Sequence, residues 1–161
     1  MKKKDRPEQY ESTYYPLEIT EWNWPYYFST CPDLKPRPDL PRLGPFLEDR
    51  DINITGRLLA PKKLEGRLIE IRIVGDRNIA DVMEHPEKCL ENPKSIGSLT
   101  IRGKRSEAIC FVPFYAVHTL CLLLHAEKIK FLILTGQPLY RGTADLRAIH
   151  FEKEYKHEDW S

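Results

Sequence analysis

Between Gly66 and Gly75 the chain reads GRLIEIRIVG, with Ile69, Ile71 and Ile73 alternating with Glu70 and Arg72. Successive side chains of a strand point to opposite faces, so this pattern predicts a strand whose isoleucines turn inward. The preceding DINITGRLLA, residues 51–60, sets Ile52 and Ile54 at the same spacing, and Pro61 starts a turn. The two segments together predict a hairpin. RNIADVMEH reads as a short helix stopped by Pro86. SIGSLTIRG, residues 95–103, predicts a third strand with Leu99 and Ile101 inward, and Lys104 to Ser106 turn the chain into a fourth over residues 107–112. Alternation returns over residues 145–155, where Leu146, Ala148 and Ile149 compete for the inner face.

The most apolar stretch is AICFVPFYAVHTLCLLLHAEKIKFLIL, residues 108–134. A bilayer-spanning helix needs about 20 apolar residues. Here the uncharged run is seventeen long, includes His118 and is broken by Pro113. AICFVP favours a strand ending at Val112, with Pro113 opening a helix expected over 114–127. Phe114, Val117, Leu120, Cys121 and Leu124 form its apolar stripe. IKFLILTG then predicts a strand apolar on both faces, hence covered. The stretch reads as strand–helix–strand and argues against membrane association.

The first 48 residues differ in character. They hold eight of the thirteen prolines and every tryptophan except Trp160. Proline fixes φ and removes a donor, so residues 30–47 are expected to run extended, partly as polyproline II. LEITEWNWPYYFS, residues 17–29, is too aromatic to stay in water. It is expected to lie against the body, as an edge strand up to Trp24. The resulting division is a Pro/aromatic arm over 1–48, one domain over 49–156 and a polar tail over 157–161. The expected fold class is α+β: a mostly antiparallel twisted sheet or sandwich of about six strands, one main helix over 114–127, and the extended arm. The second choice is an all-β sandwich in which residues 115–125 form a strand.

Composition narrows the functional classes. With 161 residues, 25 Lys plus Arg and 24 Asp plus Glu, the chain is one domain with a net charge of +1. That balance gives no global field toward nucleic acid or an anionic membrane. No apolar stretch follows the N-terminal lysines, so no secretory signal is read. None of Cys31, Cys89, Cys110 and Cys121 forms a CxxC pair, which favours a reduced, cytoplasmic compartment.

Candidate chemistry is sparse. His118 and His125 lie seven apart, about 10 Å along a helix, too far to share a metal with bonds of about 2 Å. A metal site would need His150 or a carboxylate such as Asp145 to approach one of them. Glu152 and Glu154 share a strand face, and Glu154 to Lys156 has the E-x-K spacing of metal-dependent nucleases, but no matching upstream acid accompanies it. No HExxH, GxSxG, GxxxxGK[ST] or GxGxxG occurs. The basic turns offer Lys62, Lys63, Arg102, Lys104 and Arg105 as a phosphate-binding patch if both fall on one edge. KPRPDLP, residues 35–41, has +xxPxxP spacing, and an arm strapped to this chain or a neighbouring subunit is the favoured reading of it.

The sequence thus favours a non-catalytic interaction module over an enzyme. It would bind a protein partner, or assemble with itself, through the sheet edge and the aromatic residues Trp22, Trp24, Tyr26, Tyr27 and Phe28, residue types enriched at binding hot spots. No catalytic residue, metal or cofactor is assigned. A metal-dependent hydrolase using the histidines and a nucleic-acid binder using the basic turns stand as alternatives.

Overall fold

A computed structural model describes residues 12–30 and 46–160. Among the described residues there are eight strands: β1 (Thr13–Asn23), β2 (Tyr26–Thr30), β3 (Phe46–Leu58), β4 (Leu68–Asp76), β5 (Gly97–Arg102), β6 (Arg105–Pro113), β7 (Phe131–Gly136) and β8 (Thr143–Glu152). Helix α1 (Arg77–Glu84) follows β4, and α2 (Ala116–His125) joins β6 to β7. Short 3₁₀ turns occupy Pro86–Lys88 and His157–Trp160.

Seven of the strands close on themselves. The order runs β1-β7-β8-β5-β6-β4-β3, and β3 pairs back onto β1. All neighbours are antiparallel except β4 and β6, which run parallel with Glu70 opposite Glu107. The molecule is therefore a mixed barrel, not an open sheet or sandwich, and it carries two helices rather than one main helix. Closure comes from β1, which pairs with β7 from Thr13 to Glu18 and with β3 from Leu17 to Asn23. The N-terminal segment expected as an extended arm with an edge strand thus supplies a stave of the barrel. The alternative all-β sandwich fails on the same closure, and residues 116–125 are helical.

A barrel of this size is filled by side chains. The alternating isoleucines do this: Ile52, Ile54, Ile69, Ile71 and Ile73 are at most 1% exposed, and they meet Leu17, Leu99, Leu132, Leu134 and Leu146. On β7, Leu132, Ile133 and Leu134 are all buried, as the unbroken apolar run anticipates. Curvature is supplied at bulges between Ile19 and Glu21 and between Thr135 and Gly136. It also needs close backbone approach at two glycines. A Cβ on Gly97 would lie 1.9 Å from the Ile109 carbonyl oxygen, and one on Gly136 would lie 2.2 Å from that of Asp145.

The two ends of the barrel differ. One end carries α1 and α2; α2 buries Val117, Cys121 and Leu124, and Leu120 packs partly against the core. The other end is a rim of turns joining β3 to β4, β5 to β6 and β7 to β8, with Leu64 and Leu139 packed against the core. No helix among the described residues is long and apolar enough to cross a membrane.

β2 is the eighth strand, and it lies outside the barrel. Its register on β3, Tyr26 opposite Arg50 through Thr30 opposite Phe46, continues that of β1, in which Asn23 faces Asn53. Residues 46–50 of β3 have no partner in β4, whose pairing begins at Asp51. The β2–β3 pair is thus a two-stranded ribbon running past the helix end of the barrel. The proline-rich segment KPRPDLP and Cys31 lie outside the described residues.

Candidate interaction surfaces

The ribbon begins where β1 passes the barrel wall at Asn23. Trp22 is still partly buried against the core, whereas Trp24 is 40% exposed. Beyond Pro25, Tyr26 and Tyr27 are each 55% exposed and Phe28 is 56% exposed. Alternation along β2 sets Tyr26 and Phe28 on one face and Tyr27 on the other. The Trp24 ring lies 5.9 Å from Tyr26 and 6.3 Å from His118 of α2, centroid to centroid. His118 is thereby an aromatic contact between helix and ribbon.

Charges fix the ribbon to the helices. Glu48, across from Phe28, accepts hydrogen bonds from Arg50 Nε at 2.8 Å, the Tyr26 hydroxyl at 3.1 Å and Arg77 at 3.1 Å. Burial works against the Glu48 charge, but the bonds from Arg50 and Tyr26 and the charges of Arg50 and Arg77 outweigh it and hold its pKa below the usual carboxylate range. Both guanidiniums also sit over the Phe114 ring, Arg50 at 4.0 Å and Arg77 at 4.6 Å. Each such contact contributes on the order of 0.5–1 kcal/mol at a partly exposed site. Arg77 is positioned by the start of α1, where the Asp76 side chain caps the helix by accepting from the Asn78 and Ile79 amides. Tyr115 donates to Met83 Sδ at 3.7 Å, and both side chains are more than half exposed. The residues missed from the sequence are therefore Glu48, Arg50, Arg77 and Phe114. Their meeting depends on which strand passes which helix, and no local spacing signals it.

The basic residues Lys62, Lys63, Arg102, Lys104 and Arg105 come together at the opposite rim. Arg67 and Arg141 join them; isolated cations carry no local pattern, and only strand order places them there.

On the outer face of β3, β4, β6 and β5 lies a concavity of about 580 Å³ containing Asn53, Glu70, Arg72, Thr100 and Glu107. A second, about 570 Å³, lies beside α1 against Ile79, Ile96 and Phe111, with Asp76 and Asp145 in its wall. Ser98 and Ile109 line both, so the two concavities adjoin. Glu107 is paired with Arg105.

The residues considered for a metal are not gathered. His118 faces Trp24, His125 ends α2, and His150 and Asp145 stand on β8 opposite Ile133 and Ser98 respectively. Among the described residues no group of three or more His, Cys, Asp or Glu side chains could hold a metal ion. Cys89, Cys110 and Cys121 are free thiols, and burial pushes Cys110 up to about 12.

Compared with known proteins, the chain matches no family model, no curated protein and no solved structure.

Proposed function

We propose that the protein is a non-catalytic interaction module that engages a protein partner, a second copy of itself being the simplest case, through the β2–β3 ribbon. The reading rests on one observation: Trp24, Tyr26, Tyr27 and Phe28 stand 40–56% exposed on a ribbon whose backbone, among the described residues, pairs along one side only. Monomeric surfaces seldom collect large aromatics, and such rings dominate binding energetics where they occur together. A strand with an unpaired edge can also accept another strand, whose main-chain hydrogen bonds add affinity. The Glu48, Arg50 and Arg77 contacts pre-order the ribbon, which lowers the entropy lost on association. We place its site of action in the cytoplasm, a reading supported by three free described cysteines, two of them buried.

The test compares wild type with Tyr27→Ser/Phe28→Ser. Light scattering across a concentration series reads self-association, and affinity capture reads a foreign partner. Loss of the dimer or of a captured protein in the variant, with unchanged thermal melting, supports the ribbon as the contact. Identical assembly and capture in both proteins would refute it.

A further inference from the structure

The rim at the other end of the barrel carries a separate surface. Strand order sets three turns side by side: residues 59–67 between β3 and β4, Gly103 and Lys104 between β5 and β6, and residues 137–142 between β7 and β8. Arg67 donates to the Gly103 carbonyl, joining the first turn to the second. Arg102 Nε donates to the Arg141 carbonyl at 3.0 Å, joining the second to the third. Neighbouring strands lie about 4.8 Å apart, so successive turns are spaced about 10 Å along the rim.

This arc concentrates positive charge. The turns and the residues flanking them hold seven cations, adding Arg67 and Arg141 to Lys62, Lys63, Arg102, Lys104 and Arg105, against the single turn carboxylate Glu65. Arg105 is engaged by Glu107. Lys62, Lys63 and Lys104 are exposed and make no ion pair among the described residues. The chain as a whole carries only +1, so the remainder is net negative. Uncompensated like charges held together repel one another, and a bound polyanion relieves that repulsion.

We propose that this rim binds the sugar–phosphate backbone of nucleic acid without reading its sequence. A row of cations across three turns suits a chain of regularly repeated charges better than a single small anion. Sequence readout needs stacking platforms or base-edge contacts, whereas the exposed lysines of this arc meet phosphate as point charges. Of the rings near it, Tyr140 has the Arg141 guanidinium 5.3 Å from its centroid and Tyr15 is buried. The site lies at the end opposite the aromatic ribbon, so it goes beyond the protein-binding reading and stands or falls independently of it.

The experiment is fluorescence anisotropy of the full chain with a labelled 20-nucleotide oligothymidylate and a labelled 20-base-pair duplex. With about four phosphates neutralised, raising salt from about 50 to 200 mM lowers affinity about 50-fold for the single strand and about 150-fold for the duplex. Lys62→Glu/Lys63→Glu/Lys104→Glu abolishes binding. The charge-matched control Lys128→Glu/Lys153→Glu/Lys156→Glu, whose exposed side chains lie at the helix end of the barrel, retains it. Single Lys104→Glu, a minimal change at an exposed turn, lowers the salt slope by about one phosphate contact. Absence of binding at 50 mM salt, salt-independent binding, or equal loss in both triple variants overturns the proposal. So does binding to phosphatidylserine vesicles without binding to either oligonucleotide.

Discussion

If β1 is a stave of the barrel, then Leu17→Ala is a core mutation; if the N-terminal segment merely lay on the surface, it would be nearly silent. Leu17 is fully buried and takes part in both closing ladders, opposite Leu132 on β7 and Leu58 on β3. The site has little room to collapse. A Cβ on Gly56 would come within 3.0 Å of Leu17 Cβ, so backbone already stands against the leucine on that side. Truncating a buried leucine to alanine costs about 2–5 kcal/mol, the upper part of the range applying where the surroundings cannot relax. We expect about 3–4 kcal/mol, a large share of the 5–15 kcal/mol typical of a whole domain. For a chain of this length each kcal/mol lowers Tm by about 2–4 °C, so the melting temperature falls by about 6–16 °C. Calorimetry reads the shift, and urea titration with an unchanged m-value confirms that stability, not the mechanism of unfolding, has moved. Glu18→Ala, exposed on the same strand, stays within about 0.5 kcal/mol of wild type. A Leu17→Ala shift below about 2 °C would show that β1 does not close the barrel.

Gly97→Ala drives a methyl into the Ile109 carbonyl oxygen and should destabilise by about 3 kcal/mol or more, seen as a lowered urea midpoint; a midpoint equal to wild type contradicts the close β5–β6 approach. Arg72→Met strands the Asp51 carboxylate, whose side chain is 10% exposed and which accepts two bonds from the Arg72 guanidinium. Because Arg72 itself is more than half exposed, we expect only about 1–2 kcal/mol of lost stability in urea titrations, partly recovered by adding Asp51→Asn. The Cys110 thiol, pushed from its ordinary 9.0 up to about 12 by burial, keeps its proton in the fold at pH values where the unfolded chain loses it. The unfolded state then binds fewer protons, so this group's contribution to stability falls as pH rises from 9 to 12, by about 1.4 kcal/mol per unit. Cys110→Ala removes that part of the fall in urea titrations and leaves the part that Tyr15, also pushed up to about 12 by burial, adds above its ordinary 10.0.

The wall of the barrel was legible in the sequence and its closure was not. Ile69, Ile71 and Ile73 declare their strand because a period of two is local. The bond between β1 and β7 joins Leu17 to Leu132, and nothing in either segment names the other. Proline content also misdirects. Pro16 removes a donor within β1, yet pairing to β3 begins only at Leu17, and the Pro16 carbonyl still accepts from the Leu59 amide at 2.9 Å. The cost of the proline is thus confined to one rung. The helix expected over 114–127 was readable from its apolar stripe, but it runs only from Ala116 to His125. Pro113 does not open it and is the last residue of β6, with Phe114 and Tyr115 making the turn between. For the surfaces, the aromatic residues could be named from composition, but Arg77 and Phe114 come to them only through α1 and α2. The Glu70–Glu107 pair was invisible for a sharper reason. β4 and β6 are parallel neighbours although β5 lies between them in the chain, and hairpin logic pairs consecutive strands.

Net charge was the least informative quantity of all, and the barrel explains why. From Asp51 to Leu58, β3 crosses the wall between the two ends with a path of about 24 Å at about 3.4 Å per residue, or about 18 Å along the axis for a strand tilted by about 40°. The Debye length at physiological salt is about 8 Å, so the ends are separated by about two screening lengths. Glu48, bound to Arg50 and Arg77 at the ribbon, therefore does little to offset the field of Lys62 or Lys104 at the rim. A total near zero sums surfaces that no single ligand experiences together. The same separation ties the two proposals to distinct measurements. Substitutions at Tyr27 and Phe28 should leave the salt slope for oligonucleotide binding untouched, and reversing Lys62, Lys63 and Lys104 should leave assembly through the ribbon intact. Coupling between the two, measured below the concentration at which the chain assembles so that two rims are not linked in one dimer, would contradict this separation.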